Sequence, residues 1–133
     1  MRIKEANIAA TLLLFGLPTV AHGQPTFDMK VIDDLLTGYF ERTYKGRQFS
    51  DVGEVSSYGK CIRCLFADDW YVEISNGSRR VYCIVSKSEN DPRFKEMQRE
   101  FPLQTKVRMT GKMAEWNFGD NSLRLEDFCE IKR

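Results

Sequence analysis

The sequence predicts a mainly β protein with five strands and two helices, one helix before the first strand and one between the third and fourth. Three observations carry that expectation. Asn76-Gly77 lies between the alternating runs "WYVEIS" and "RRVYCIVS", and Asn-Gly between such runs is the strongest short hairpin signal. "KVRMTGKM" and "SLRLEDFCEIKR" keep a period near two towards the C-terminus. "FDMKVIDDLLTGYFERTYK" and "ENDPRFKEMQREFP" instead repeat apolar residues at helical spacing.

Residues 1–23 read as a secretory signal peptide. Arg2 and Lys4 precede the apolar run Ile8 to Leu17, Pro18 breaks it, and Ala21 and Gly23 are small residues at the expected cleavage positions. The run is shorter than the roughly 20 residues of a spanning helix. The expectation is export to a periplasm or beyond, with no membrane anchor after cleavage.

Residues 24–46 are expected to form a helix packed on the strands. Asp28 is its cap, Met29, Ile32, Leu35, Leu36, Tyr39 and Phe40 form its apolar face, and Gly46 ends it. "RQFSDVGEVSSY" (47–58) then reads as a strand bent at Gly53. In the hairpin, a two-residue Asn76-Gly77 turn places Tyr71 opposite Tyr82, Glu73 opposite Arg80 and Ile74 opposite Arg79. Alternation sends Trp70, Val72, Ile74, Val81, Cys83 and Val85 inward. Tyr71, Glu73, Arg80, Tyr82 and Ile84 are left on the other face. The second helix has Asn90 or Asp91 as cap, Pro92 in its first turn and Phe94, Met97 and Phe101 on one side. Val107, Met109, Gly111 and Met113 point inward from the next strand, and "SLRLEDFCEIKR" closes the chain.

Five strands with a helix between the third and fourth follow the plan of the OB-fold, a small partly open barrel. Residues 47–133 are therefore the expected OB-fold domain. Two stretches also resemble the tRNA-anti-like OB-fold family of secreted bacterial proteins and lipoproteins. "YKGRQFSDVGEV" (44–55) is similar to that family's entry into the first strand, and "VRMTGKM…SLRLEDFCEI" to its C-terminal close. The resemblance spans roughly residues 30–133 and implies fold rather than activity. Asp51 stands where the family usually has an apolar residue. Phe128 lengthens the closing motif, which implies a bulge.

Charge and composition narrow the functions. The chain has 20 basic and 19 acidic residues, and without Arg2, Lys4 and Glu5 there are 18 of each. That balance weighs against a protein living on phosphate contacts, though it leaves room for a local basic face. The one histidine, His22, lies in the predicted signal. Asp68-Asp69 and Glu126-Asp127 are adjacent, so in extended chain the members of each pair point apart rather than converging on one bond. No enzyme activity, cofactor or metal site is expected.

Cys61 and Cys64 stand three positions apart, with Cys83 and Cys129 on later strands. A redox centre of this spacing needs a helix start, and structural zinc usually needs two close pairs. Export favours two disulfides. The third and fifth strands of an OB-fold are neighbours, which brings Cys83 near Cys129 and leaves Cys61 and Cys64 to close a tight loop. The crossed pairings remain open.

OB-folds commonly bind across the second and third strands and the loop before them. Here that surface offers Tyr58, Lys60, Arg63, Tyr71, Arg80 and Tyr82. The expected function is an exported, non-enzymatic binding module for a protein partner or polymer. Single-stranded nucleic acid, stacked on tyrosine and held by arginine, is the second expectation. Thiol–disulfide exchange at Cys61 and Cys64 is the third.

Overall fold

The computed structural model describes residues 25–35, 37–61 and 68–133. The predicted signal peptide, Leu36, Arg63 and Cys64 lie outside them. Among the described residues seven strands form one mixed sheet: β1 (Thr26–Phe27), β2 (Gln48–Lys60), β3 (Trp70–Asn76), β4 (Arg79–Ser86), β5 (Lys106–Asn117), β6 (Ser122–Leu125) and β7 (Glu130–Lys132). Helix α1 (Pro92–Glu100) lies between β4 and β5.

Five of these strands close a ring in the order β2–β3–β4–β6–β5 and back to β2. Closure is possible because β2 and β5 are long and each serves two neighbours. The first half of β2 pairs with β5 and the second half with β3, the two ladders meeting at Glu54. Gly53 sits beside this switch, where an added Cβ would lie 2.9 Å from the Ser75 carbonyl oxygen. Only glycine allows so close an approach. The ring encloses Phe49, Val55, Val72, Ile74, Val81, Cys83, Val107, Met109, Met113, Leu123 and Leu125, so the predicted inward rows supply the core. Phe49 has no exposed surface.

The N-terminal helix is not continuous. A 3-10 helix (Met29–Asp34) is followed by extended backbone at Leu35, one α turn at Thr37–Tyr39 and a π-helical segment at Phe40–Tyr44. The apolar residues Met29, Ile32 and Leu35 recur every three residues, the 3-10 period, and all three are buried. Asp28 caps the segment by accepting from the Lys30 N–H at 2.9 Å. Asp51, the departure from the family pattern, accepts the Met29 N–H at 2.8 Å and so fixes this start to β2. Gly46 ends the segment at φ +82°. Tyr39, expected on the packing face, is 53% exposed, because the break rotates it off that face.

The hairpin turn is also displaced. Asn76 pairs with Arg79, so the two-residue loop is Gly77-Ser78 rather than Asn76-Gly77. Gly77 takes the positive φ, +65°, at the first loop position, where II′-type turns place glycine. The ladder shifts by two residues: Glu73 faces Tyr82 and Ser75 faces Arg80. A two-residue shift preserves the side-chain faces, so Val72, Ile74, Val81 and Cys83 still point inward. An irregularity between Trp70 and Tyr71 ends that agreement. Past it Ser86 is buried and Val85 half-buried, while Ile84, expected on the open face, is fully buried. Trp70 packs on Phe94 of α1, ring centroids 5.8 Å apart.

The last predicted strand is two. The expected bulge at Phe128 is a full break, with Phe128 at φ +62° between β6 and β7. β6 runs parallel to β4 and antiparallel to β5, and β7 pairs with the other half of β5. The break is held by the Phe128 N–H donating to the Ile84 carbonyl at 2.7 Å and by the Cys83–Cys129 disulfide. The predicted 83–129 pairing is thus present, and the crossed pairings are excluded. Among the described residues no helix is long and apolar enough to cross a membrane.

Candidate functional site

The open face of β3 and β4, the end of β5 and the turn before β6 enclose a solvent-open cavity of about 170 Å³. Four of the six predicted binding residues line it: Lys60, Tyr71, Arg80 and Tyr82. Their placement follows from strand alternation. Tyr71, Glu73, Arg80 and Tyr82 share the outer face of the hairpin, while Lys60 ends β2 beside them.

The two tyrosines form an edge-to-face pair with centroids 5.7 Å apart and planes at 68°, a geometry favoured by the ring quadrupole. They are diagonal neighbours, not the directly opposite pair expected, because of the register shift. Each hydroxyl has a fixed partner. The Ser57 hydroxyl bonds the Tyr71 hydroxyl at 3.1 Å, and the Asn117 amide donates to the Tyr82 hydroxyl at 2.6 Å. The Tyr71 ring rests on Gly59, where an added Cβ would meet its hydroxyl at 3.2 Å.

The expected Glu73–Arg80 pair is replaced. Arg80 donates to the Asp120 carbonyl, and the Glu73 carboxylate accepts from Ser56 at 2.9 Å. Lys60 pairs with Asp68 at 3.3 Å. Cys61 and Ser122 contribute to the wall. Cys61 is disulfide-bonded and 7% exposed. Its N–H donates to the Asp69 carbonyl at 2.7 Å, closing the base of the connection to β3.

Tyr58 does not join this site. Its hydroxyl donates towards the Phe101 carbonyl at 2.6 Å and the Met97 carbonyl at 3.2 Å, and its ring packs edge-on to Phe94. Burial, with the Glu100 carboxylate nearby, pushes its pKa up to about 12. Tyr58 therefore fastens β2 to α1. Arg63 lies outside the described residues. Sequence reasoning missed Asn117, Asp120 and Ser122, which enter because β6 lies beside β4. "GDN" signalled only a turn.

Behind the hairpin, Lys87 bridges Asp69 at 2.9 Å and Asp127 at 3.1 Å. Both carboxylates raise its pKa, Asp69 most. Arg79 clamps Asp33 of the 3-10 helix, Nε donating to one carboxylate oxygen and Nη2 to the other. This hydrogen bonding lowers the Asp33 pKa and raises that of Arg79. Arg79 is thus held beside the turn rather than facing Ile74. No cluster of three or more metal-ligating side chains occurs among the described residues.

Fold and site together define a small mainly β protein with a sheet partly ring-closed over five strands and a polar, aromatic cavity on one face. No protein-family model matches the chain, and no curated protein proves similar to it. The family resemblance therefore rests on the sequence motifs alone.

Proposed function

We propose that the ring is an OB-fold and that the protein is an exported, non-enzymatic binding module which docks a protein partner or polymer on the β3–β4 face. The strand order and the helix between β4 and β5 support the fold reading. The observation that carries the functional reading is the Tyr71–Tyr82 pair, both hydroxyls held, beside Lys60 and Arg80 at an open cavity. Rings fixed before binding lose little side-chain freedom on contact. We further propose that Cys61 pairs with Cys64, stiffening the connection beside the cavity. The small exposure of Cys61 disfavours exchange chemistry, which needs access to sulfur.

The test is partner capture from a periplasmic extract, followed by binding with the identified partner purified. Tyr71→Ala and Arg80→Ala should each weaken that complex by on the order of tenfold or more, as expected of central aromatic and arginine anchors. Wild-type affinity in both variants would remove this face from the account. Single-stranded nucleic acid remains the second reading, since tyrosines flanked by cations suit stacked bases. Oligonucleotide binding that disappears with Tyr71→Ala would favour it.

A further inference from the structure

A second surface lies on the far side of the ring, where β5 runs between β2 and β7. Residues with inward neighbours Val107, Met109 and Met113 alternate with the exposed Lys106, Arg108 and Lys112. Same-face positions on a strand advance by about 7 Å, so these cations form a line about 20 Å long. Elsewhere most cations are engaged: Lys60, Arg79, Lys87, Arg93, Arg99 and Arg124 all hold carboxylates. Lys106 and Lys112 have no ion-pair partner among the described residues, and Arg108 donates only to the Ser50 hydroxyl, at 3.0 Å.

The arrangement has a cost. Arg108 stands directly opposite Lys132 of β7; Glu130 pairs with that lysine at 3.4 Å and offsets only part of the repulsion by which like charges at a cross-strand pair destabilise a sheet. Edge protection accounts for Lys132, on the terminal strand β7, but not for Arg108, because β5 is paired on both sides there. The Ser50–Thr110 hydroxyl contact, 2.9 Å, and the Arg108–Ser50 bond hold the guanidinium over β2. Its remaining donors are left for another acceptor.

We infer that this face is a second binding surface, taking a linear polyanion with a phosphate backbone laid along β5. The acids decide the shape of the ligand. Glu54 lies opposite Lys106 on β2, and Glu130 opposite Thr110 on β7. A flat anionic membrane would meet both carboxylates, whereas a chain following β5 passes between them. The exposed members of the face include no aromatic ring, so the contact is to charged groups and not to stacked bases.

The experiment titrates the full chain with long-chain inorganic polyphosphate at rising salt, beside vesicles of anionic phospholipid. Wild-type affinity should fall with salt along a log–log slope of about −2 to −3, as three or four contacts imply. Lys106→Gln with Arg108→Gln and Lys112→Gln should weaken binding by on the order of a hundredfold and remove about one unit of slope per cation. Arg108→Gln alone should leave the melting temperature unchanged or slightly raised, which separates lost binding from lost fold. Equal polyphosphate binding by wild type and the triple variant would overturn the inference. So would binding to vesicles but not to polyphosphate.

Discussion

The two faces of the ring treat charge in opposite ways. Around the Tyr71–Tyr82 cavity every described cation is already held: Lys60 by Asp68, Arg80 by the Asp120 carbonyl. Along β5, Lys106 and Lys112 have no ion-pair partner among the described residues, and Arg108 faces Lys132, itself paired with Glu130. The first face is compensated and shaped, so its binding should depend weakly on salt and strongly on ring geometry. The second carries exposed cations with acids only at its borders, Glu54 and Glu130, so its binding should depend mainly on ionic strength. A protein with near-zero net charge can therefore still present a basic line, because the neutrality is an average over unlike surfaces.

The faces are joined covalently by Cys83–Cys129, which ties β4 of the cavity to the break between β6 and β7. Removing it gives the largest expected effect. Cys83→Ser with Cys129→Ser should cost about 4 kcal/mol by the loop-entropy argument for a bridge spanning 46 residues. Denaturant unfolding measures this. A loss under about 1 kcal/mol would mean that ladders, not the bridge, join the faces.

Tyr58→Phe comes next. It leaves the Phe101 carbonyl without its side-chain donor and should cost about 1 kcal/mol. The folded pKa of Tyr58 lies above its unfolded value of 10.0. Its contribution is thus full below pH 10 and lost as pH rises towards 12. Wild-type stability should therefore drop over that interval more steeply than that of Tyr58→Phe.

Arg108→Gln eases the repulsion that Glu130 leaves between Arg108 and Lys132 and should raise stability by at most a few tenths of a kcal/mol, at the low end of the roughly 0.2–1 kcal/mol range of cross-strand pairs. The gain should shrink at high salt. The smallest effect belongs to Asp33, whose folded pKa is lowered by Arg79. That contribution is present above its unfolded value of 3.8 and vanishes as pH falls through the folded value. Melting curves of wild type and Asp33→Asn should converge in acid and separate slightly at neutral pH.

The sequence made the core legible and the edges only partly so. Period-two alternation identified Val72, Ile74, Val81 and Cys83 because burial acts on that pattern directly. The hairpin register escaped it, since a two-residue shift leaves the faces unchanged and turn residues alone had to decide between Asn76-Gly77 and Gly77-Ser78. The helical stripe at 29–40 gave Met29, Ile32, Leu35 and Phe40 as buried but also the exposed Tyr39, and it missed the buried Val31, because spacing of three and four residues does not separate one helix from several short ones. Tyr58 shows the limit for the site: its residue type and position fitted a binding surface, while its direction was set by carbonyls of α1 forty residues on. The β5 line needed the register, because the conflict of Arg108 with Lys132 exists only once both strands are paired.

An amide NMR titration of the full chain with long-chain polyphosphate tests the separation of the two faces most directly. The account predicts shifts confined to residues 48–54, 106–112 and 130–132, with residues 71–82 undisturbed. Shifts centred on Tyr71 and Tyr82, with β5 silent, would contradict it.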